Sequence, residues 1–368
     1  MASCTGTVTT RNTPRGEHVS VVSVALGDGN QHACVVLADG RVRCSGANWA
    51  GQLGGGSSTA TYQERVAPTG LLDVVRIEIS PTHGVSCALQ RGGHVYCWGS
   101  NERGLLGVGH DADERCAAHR PIPCRSVPVR VPELEDVVEI AMTDTSVCAL
   151  RRDGRLYCWG EIANPFSLPR SARPLLVPEI RGVTSIVANG PRLVVRSTDG
   201  VVVIEPSGIR PAFLSRAEIT GRQLGPLCGR MPDNTARCMG SNRLGQLAAP
   251  PDAPSNAPID PHVGHVREIV SGMTHACALR DDGTVWCWGD ARHGTLASVA
   301  PEAEPCGDPS VESAPCVRQP TRIDGLGDVA HLFAGLWLTC ATTREGAVWC
   351  WGRLLDGSVS ATPVRVSW

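Results

Sequence analysis

The residues best equipped for chemistry in this 368-residue chain are its 17 cysteines and 11 histidines. Lysine is absent, so all 34 basic residues are arginine. That removes the lysine that a P-loop places on phosphates, the amine that forms a Schiff base and the strand lysine of a kinase. The arginine bias is compositional, in a chain rich in Ala, Gly, Val and Pro. A net charge of −2 gives no basic footprint for DNA or RNA. No His-Glu-x-x-His, Gly-x-Ser-x-Gly or dinucleotide-type glycine pattern occurs. His32 and His275 share one position, two residues before a cysteine. They read as structural imidazoles bonded to a neighbouring loop rather than as catalytic bases. The acidic stretch from His110 to Glu114 lacks the ligand spacing of a calcium loop and reads as solvated, as do Glu302, Glu304 and Asp308. No catalytic residue, metal ligand or cofactor is expected, and the chain reads as a non-enzyme.

The cysteines are ordered by spacing. Six pairs recur along the chain with partners ten positions apart: Cys34/Cys44, Cys87/Cys97, Cys148/Cys158, Cys228/Cys238, Cys277/Cys287 and Cys340/Cys350. Cys116/Cys124 and Cys306/Cys316 make two further pairs and Cys4 stands alone. Structural zinc ligands come as knuckles two to four residues apart, so the long fixed spacing points to disulfides and to an oxidising, extracytoplasmic compartment. Residues 1–10 lack the charged and apolar regions of a signal peptide, and no apolar run is long enough to span a bilayer. The start reads as a mature chain with Met1 added back. Cys4 is then either a lipidated first residue, as in bacterial lipoproteins, or an orphan thiol; a lipid there is the one membrane attachment the sequence offers.

What must position these cysteines is a repeat. Its clearest copy is His275-Ala-Cys-Ala-Leu-Arg-Asp-Asp-Gly-Thr-Val-Trp-Cys-Trp-Gly289. An apolar stretch such as Val137-Val-Glu-Ile140 precedes each copy. A loop of the type Gly46-Ala-Asn-Trp-Ala-Gly-Gln-Leu-Gly54 follows, and then a Pro-containing strand such as Pro363-Val-Arg-Val366. In the copy at 277–287, Asp281-Asp282-Gly283 suits a three-residue hairpin loop with a left-handed third position. Closing that loop sets Arg280 opposite Thr284 and therefore Cys277 opposite Cys287. Opposed residues lie roughly 4.5–5.5 Å apart, which a disulfide can bridge. In the fifth copy, Pro232-Asp233-Asn234 gives Asn the left-handed place. In the fourth, the register puts Val194 and Ile204 where cysteines are expected, a unit without its bridge.

Seven units averaging about 53 residues approach the length of a four-stranded propeller blade. The expected fold is all-β: a seven-bladed β-propeller with intra-blade disulfides, forming one domain over 19–368 behind a tail at 1–18. Its motifs, Cys-Ala-Leu-x-x-Asp-Gly-x-Val-x-Cys-Trp-Gly and Gly46 to Gly54, resemble the RCC1-repeat (regulator of chromosome condensation) family of seven-bladed propellers, across residues 19–367. The chain looks most like the Cys-rich bacterial members. The resemblance implies a secreted ring with stapled hairpins; propellers of this kind include a β-lactamase inhibitor that docks through one face, and the ring is expected to be a monomer. It departs from the nuclear members in its cysteines and in lacking a basic tail, which argues against chromatin or nucleotide-exchange roles.

Trp98, Trp159, Trp288 and Trp351 recur in register and read as blade packing. Residues that the units do not share mark a face. Trp49 lies outside the repeated Trp-Gly position, and Trp337 replaces Thr274 in the loop after the inner strand. The same neighbourhood in other units offers Asn30, Gln31, His83, Asp144 and Met273. These seven are the expected binding residues, with a protein or glycan as partner. The competing readings are inhibition of a partner enzyme, and a hydrolase or lyase whose site lies in the central channel.

Overall fold

The computed structural model describes residues 20–27, 32–80, 82–109, 114–117, 121–161, 170–205, 208–211, 218–219, 225–250, 257–297, 303–306 and 314–368, and structural statements refer to these. The tail at 1–18, Cys4, Asn30, Gln31 and the acidic stretch before Glu114 lie outside them. The hairpin follows from its turn. Arg280 N–H donates to Thr284 O at 2.9 Å and Gly283 N–H to Arg280 O at 3.0 Å. Gly283 sits at φ +79°, and Asn234 takes the equivalent place at +60°.

All eight expected pairs are bonded. Six are hairpin staples: Cys34–Cys44, Cys87–Cys97, Cys148–Cys158, Cys228–Cys238, Cys277–Cys287 and Cys340–Cys350. In each the two cysteines directly oppose one another, as Cys148 does Cys158. Their Cα atoms are 4.1 Å apart, which corrects the expected 4.5–5.5 Å downward. The reason is register. Arg280 and Thr284 form a hydrogen-bonded pair, so alternation along the ladder makes Cys277–Cys287 a non-hydrogen-bonded one, the closer kind.

The other two bonds are clips in the outer-strand inserts. Cys116–Cys124 has Cα atoms 5.9 Å apart. Cys306–Cys316 shares the separation of ten but not the hairpin geometry, a difference that spacing alone does not reveal. Cys316 opposes Glu304, and Cys306 opposes Ala314, so this bridge joins the strands diagonally, with Cα atoms 5.7 Å apart.

The expectation of seven blades is corrected to six. Six sheets have four or five antiparallel strands each, in units spanning 21–66, 74–130, 137–176, 183–211, 266–322 and 329–366. The fifth unit is a two-stranded sheet, Leu227–Arg230 with Ala236–Met239. Single bridges, Glu218 to Arg230 and Cys238 to Ile259, flank it where further strands would lie. Its outer flank carries five prolines between 250 and 261. Proline has no N–H to give a ladder, so among the described residues Pro258 and Pro261 limit pairing on either side of the Ile259 bridge. Its inner flank, Arg216-Ala-Glu-Ile-Thr220, lacks the Val that begins every other inner strand.

One further expectation fails in the fourth unit. Val194 pairs with Val203, and Leu193 with Ile204. Ser197 opposes Gly200, so Thr198 and Asp199 form a two-residue turn and Gly200 joins the strand. The shorter turn moves the second strand by one residue. Val194 and Val203 occupy the staple positions.

Five of the inner strands are joined to the turn before them by a recurring bond. Val74 N–H donates to Gly40 O, Val137 to Gly93 O, Val183 to Gly154 O and Val266 to Asn234 O. Val21 N–H donates in the same way to Gly346 O of the last unit, at 3.2 Å, and this closes the ring. The final strand, Val359–Val366, pairs with Val348–Arg353 of its own unit. The last blade is therefore completed by its own chain, and no strand crosses to the first.

The repeated tryptophans bolt neighbouring units together. The indole N–H of Trp98 donates to Gln52 O at 2.7 Å, Trp159 to Leu105 O at 2.8 Å, Trp288 to Gln246 O at 2.8 Å and Trp351 to Thr295 O at 3.0 Å. Each bond runs from one unit to the loop of the unit before it, and all four indoles are fully buried. A buried indole N–H must find an acceptor, which the Gly-rich loop supplies.

Candidate interaction face

Antiparallel blades put the connections between first and second strands, and between third and fourth, on one face. The Asp-Gly hairpin turns lie on the other. Every described member of the expected binding set falls on the first face, in two groups.

The first group spans the second and third units. His83 is half-buried, its Nδ1 2.6 Å from Thr82 Oγ1 and its backbone N–H donating to Ser80 Oγ at 3.1 Å. Burial and the Arg103 guanidinium hold this imidazole below its ordinary pKa, against the pull of Asp144, Glu161 and Glu102. Arg103 pairs with Glu161, which also binds Arg170 at 3.1 Å, and Arg170 reaches Glu102 O at 3.0 Å. Asp144 N–H donates to Gly190 O at 3.2 Å. Trp49 stands beside them. A Cβ on Gly84 would come within 2.9 Å of its ring, and the indole packs over the Cys116–Cys124 clip.

The second group lies at the sixth and seventh units. Trp337 has the His293 ring 5.1 Å away and the Arg353 guanidinium 5.6 Å from its ring centre. Both contacts hold the indole in place before any partner arrives. Met273 N–H donates to Leu336 O, and its side chain is 51% exposed. Sequence reasoning missed Arg103, Glu161, Arg170, His293 and Arg353. The signal was present for Arg353, which follows the Trp-Gly where other units place Ser100, Glu161 and Asp290.

The central channel offers a second concavity. Arg76, Glu139, Ser185 and Glu218 line a cavity of about 530 Å³. These carboxylates mainly clasp the ring. Glu139 accepts Ile186 N–H of the next unit at 2.8 Å, Glu268 accepts Leu332 N–H at 3.3 Å, and Arg76 pairs with Glu78 at 3.0 Å. Burial raises Glu139 above the ordinary carboxylate range. Glu114 lies near Cys116 and Cys124, but those sulfurs are joined to each other and Glu114 accepts Ser126 N–H. That grouping has no thiolate to offer a metal.

His32 and His275 are fully buried and bond the following units, to Ser86 Oγ at 2.9 Å and Thr339 Oγ1 at 2.7 Å. Burial pushes His275 down to about 4. The unfolded chain takes up this proton near pH 6.5 and the folded one only near 4, so the stability it contributes is complete above 6.5. Acidification towards pH 4 removes about 3 kcal/mol of it. Urea unfolding at pH 7 and pH 4.5 should show a smaller pH dependence in His275→Gln than in the wild type. An equal dependence would show that this imidazole is not the acid-sensitive group.

The regulator of chromosome condensation (RCC1) repeat profiles match residues 92–150, and 21–52, 137–164 and 266–295. The chain is 26% identical over 329 residues to the human probable E3 ubiquitin-protein ligase HERC6, covering 85% of this chain and 26% of that protein. It is 24% identical over 359 residues to mouse regulator of chromosome condensation, covering 85% and 80%. It thus spans about a quarter of the first relative and most of the second. The structure of Kap60 bound to yeast RCC1 (Prp20) aligns with 100% of this chain and 91% of that one, at a TM-score of 0.72 and 16% identity. The chain carries RCC1 repeats and folds as an RCC1-like β-propeller.

Proposed function

We propose that this propeller is a non-enzymatic protein-binding scaffold that works in an oxidising, extracytoplasmic compartment and docks its partner on the face carrying Trp49, His83, Asp144, Met273 and Trp337. One observation carries the reading. The aromatic, exposed and charged residues that the units do not share gather on that face, whereas the opposite face repeats Asp-Gly turns. An anchored indole beside an exposed methionine is the kind of group that dominates binding energy, and the Arg103–Glu161–Arg170 chain offers alternating charge to a protein surface. Eight disulfides support the compartment. Yeast RCC1, a structural relative, is seen bound to the protein Kap60.

The test uses the wild-type ring as bait for native envelope or culture medium, followed by titration of the captured protein against variants. Trp337→Ala with His83→Ala is expected to weaken binding by about 30-fold or more, the scale of a truncated hot spot. Unchanged affinity would remove this face from consideration.

A further inference from the structure

The seven junctions of the ring are not filled alike. At four of them an indole from one unit lies against the disulfide and the loop leucine of the unit before it. Trp98 meets Cys34, Cys44 and Leu53, and Trp159 meets Cys87, Cys97 and Leu106. Trp288 meets Cys228, Cys238 and Leu247, and Trp351 meets Cys277, Cys287 and Leu296. In the fourth and fifth units Ile204 and Met239 stand in the indole's position, still large and apolar.

The closing junction, between the seventh unit and the first, lacks both residues at their repeat positions. Ser45 follows Cys44 where tryptophan follows the staple cysteine elsewhere, and its hydroxyl is occupied by Arg65 N–H at 2.9 Å. The loop leucine is replaced by Val359, which begins the outer strand and is 56% exposed. A cavity of about 290 Å³ opens there, lined by Ser45, Cys340, Cys350, Leu354, Leu355 and Trp368 among others. The Cys340–Cys350 bridge and the neighbouring leucines thus form the same kind of wall that receives an indole at the four filled junctions. Trp368 packs against the Cys340–Cys350 cluster with Leu354, Leu355 and Val366 and lines the cavity that stays open beside it, and its buried Nε1–H has no acceptor.

We infer that this seam is a binding site for a planar aromatic ligand of indole size, seated beside Trp368 where the first unit carries Ser45 in place of the repeat's tryptophan. The disulfide-backed side of the cavity, with Leu26, Leu338, Leu354, Leu355 and Val366, is apolar and favours a flat, polarisable ring, while Tyr62 and Ser367 are among the polar groups on its rim. The volume lies close to the lower end of ligand pockets, roughly 300 Å³. The charged groups near the wall include Arg65 and Arg365 but also Glu64 and Asp356, so shape rather than ligand charge selects the occupant. The site lies between blades, and it stands independently of the face proposed above.

Indole itself is the probe, titrated by calorimetry and by ligand-observed saturation-transfer NMR into the oxidised, intact chain. Saturable binding with a dissociation constant of about 1 mM or tighter is expected. Ser45→Trp should fill the slot from within, abolish that binding and raise the melting temperature. Val364→Phe, from the opposite wall, should weaken indole binding at least tenfold and guards against a Ser45→Trp chain that fails to fold. No saturable binding to the wild type, or binding undiminished in whichever filled variants fold, would overturn the inference.

Discussion

Replacing Trp288 by alanine should cost about 4 kcal/mol, the scale of a fully buried large-to-small change in a core. Its indole occupies the junction between the two-stranded fifth unit and the sixth, among Cys228, Cys238, Leu247 and Val266. The substitution leaves a cavity there and orphans the Gln246 carbonyl. Trp288→Phe should cost less, keeping most of the packing while losing the hydrogen bond, which is worth about 1 kcal/mol. The damage should also be local. The fifth unit has two strands and single flanking bridges, so it depends on this junction more than a complete blade does. Amide exchange should accelerate first in residues 227–239 while the other hairpins stay protected. Uniform loss of protection around the ring would contradict this account.

Reduction should unfold the ring. Each hairpin staple joins residues at a sequence separation of 10, and the chain-entropy argument gives such a bridge about 3 kcal/mol. Six of them together rival the whole stability of an ordinary domain, about 5–15 kcal/mol. Treatment with dithiothreitol in mild urea should therefore abolish the near-ultraviolet circular dichroism. One bridge at a time is a gentler test. Cys277→Val with Cys287→Val copies what the fourth unit does with Val194 and Val203, and should lower stability by about 3 kcal/mol without changing the fold. Thiol titration of the oxidised chain should find at most one reactive group, since 16 of 17 cysteines are paired. Several free thiols in the folded protein would refute the staples.

What could be read in advance was what depends on short stretches of chain. The hairpin loop and its glycine dictate which residues oppose, so staples such as Cys148–Cys158 followed from spacing alone. Spacing has limits, however. Cys306 and Cys316 are also ten apart, yet they sit on a different pair of strands and do not oppose. The fourth unit makes the same point: Thr198-Asp199-Gly200 matches the turn motif, but Gly200 enters the strand and the partner of Val194 shifts from Ile204 to Val203. The blade count failed where pairing needs distant segments. A hairpin at 227–239 announces a unit, but whether strands flank it depends on residues near 218 and 259, where proline and a missing valine intervene. The proposed binding set rests on departures from the repeat, which singled out Trp337 and His83. Their companions escaped because Arg103, Glu161 and His293 matter through the neighbouring unit they touch, and sequence spacing does not reveal such contacts.

The last strand, returned to its own blade, makes the ring a split washer rather than a welded one. Opening it breaks no ladder. It parts the Val21–Gly346 bond, the Ser20–Glu345 and Arg65–Ser367 contacts, and one apolar seam. Within the ring, Ser20 and Trp368 both lie at that seam, so a load applied through them would pry the first and last blades apart before any sheet unravels. The aromatic-sized gap sits in the same cleft. A molecule wedged there would act as a shim, and the looseness of the ring would become something its surroundings can set.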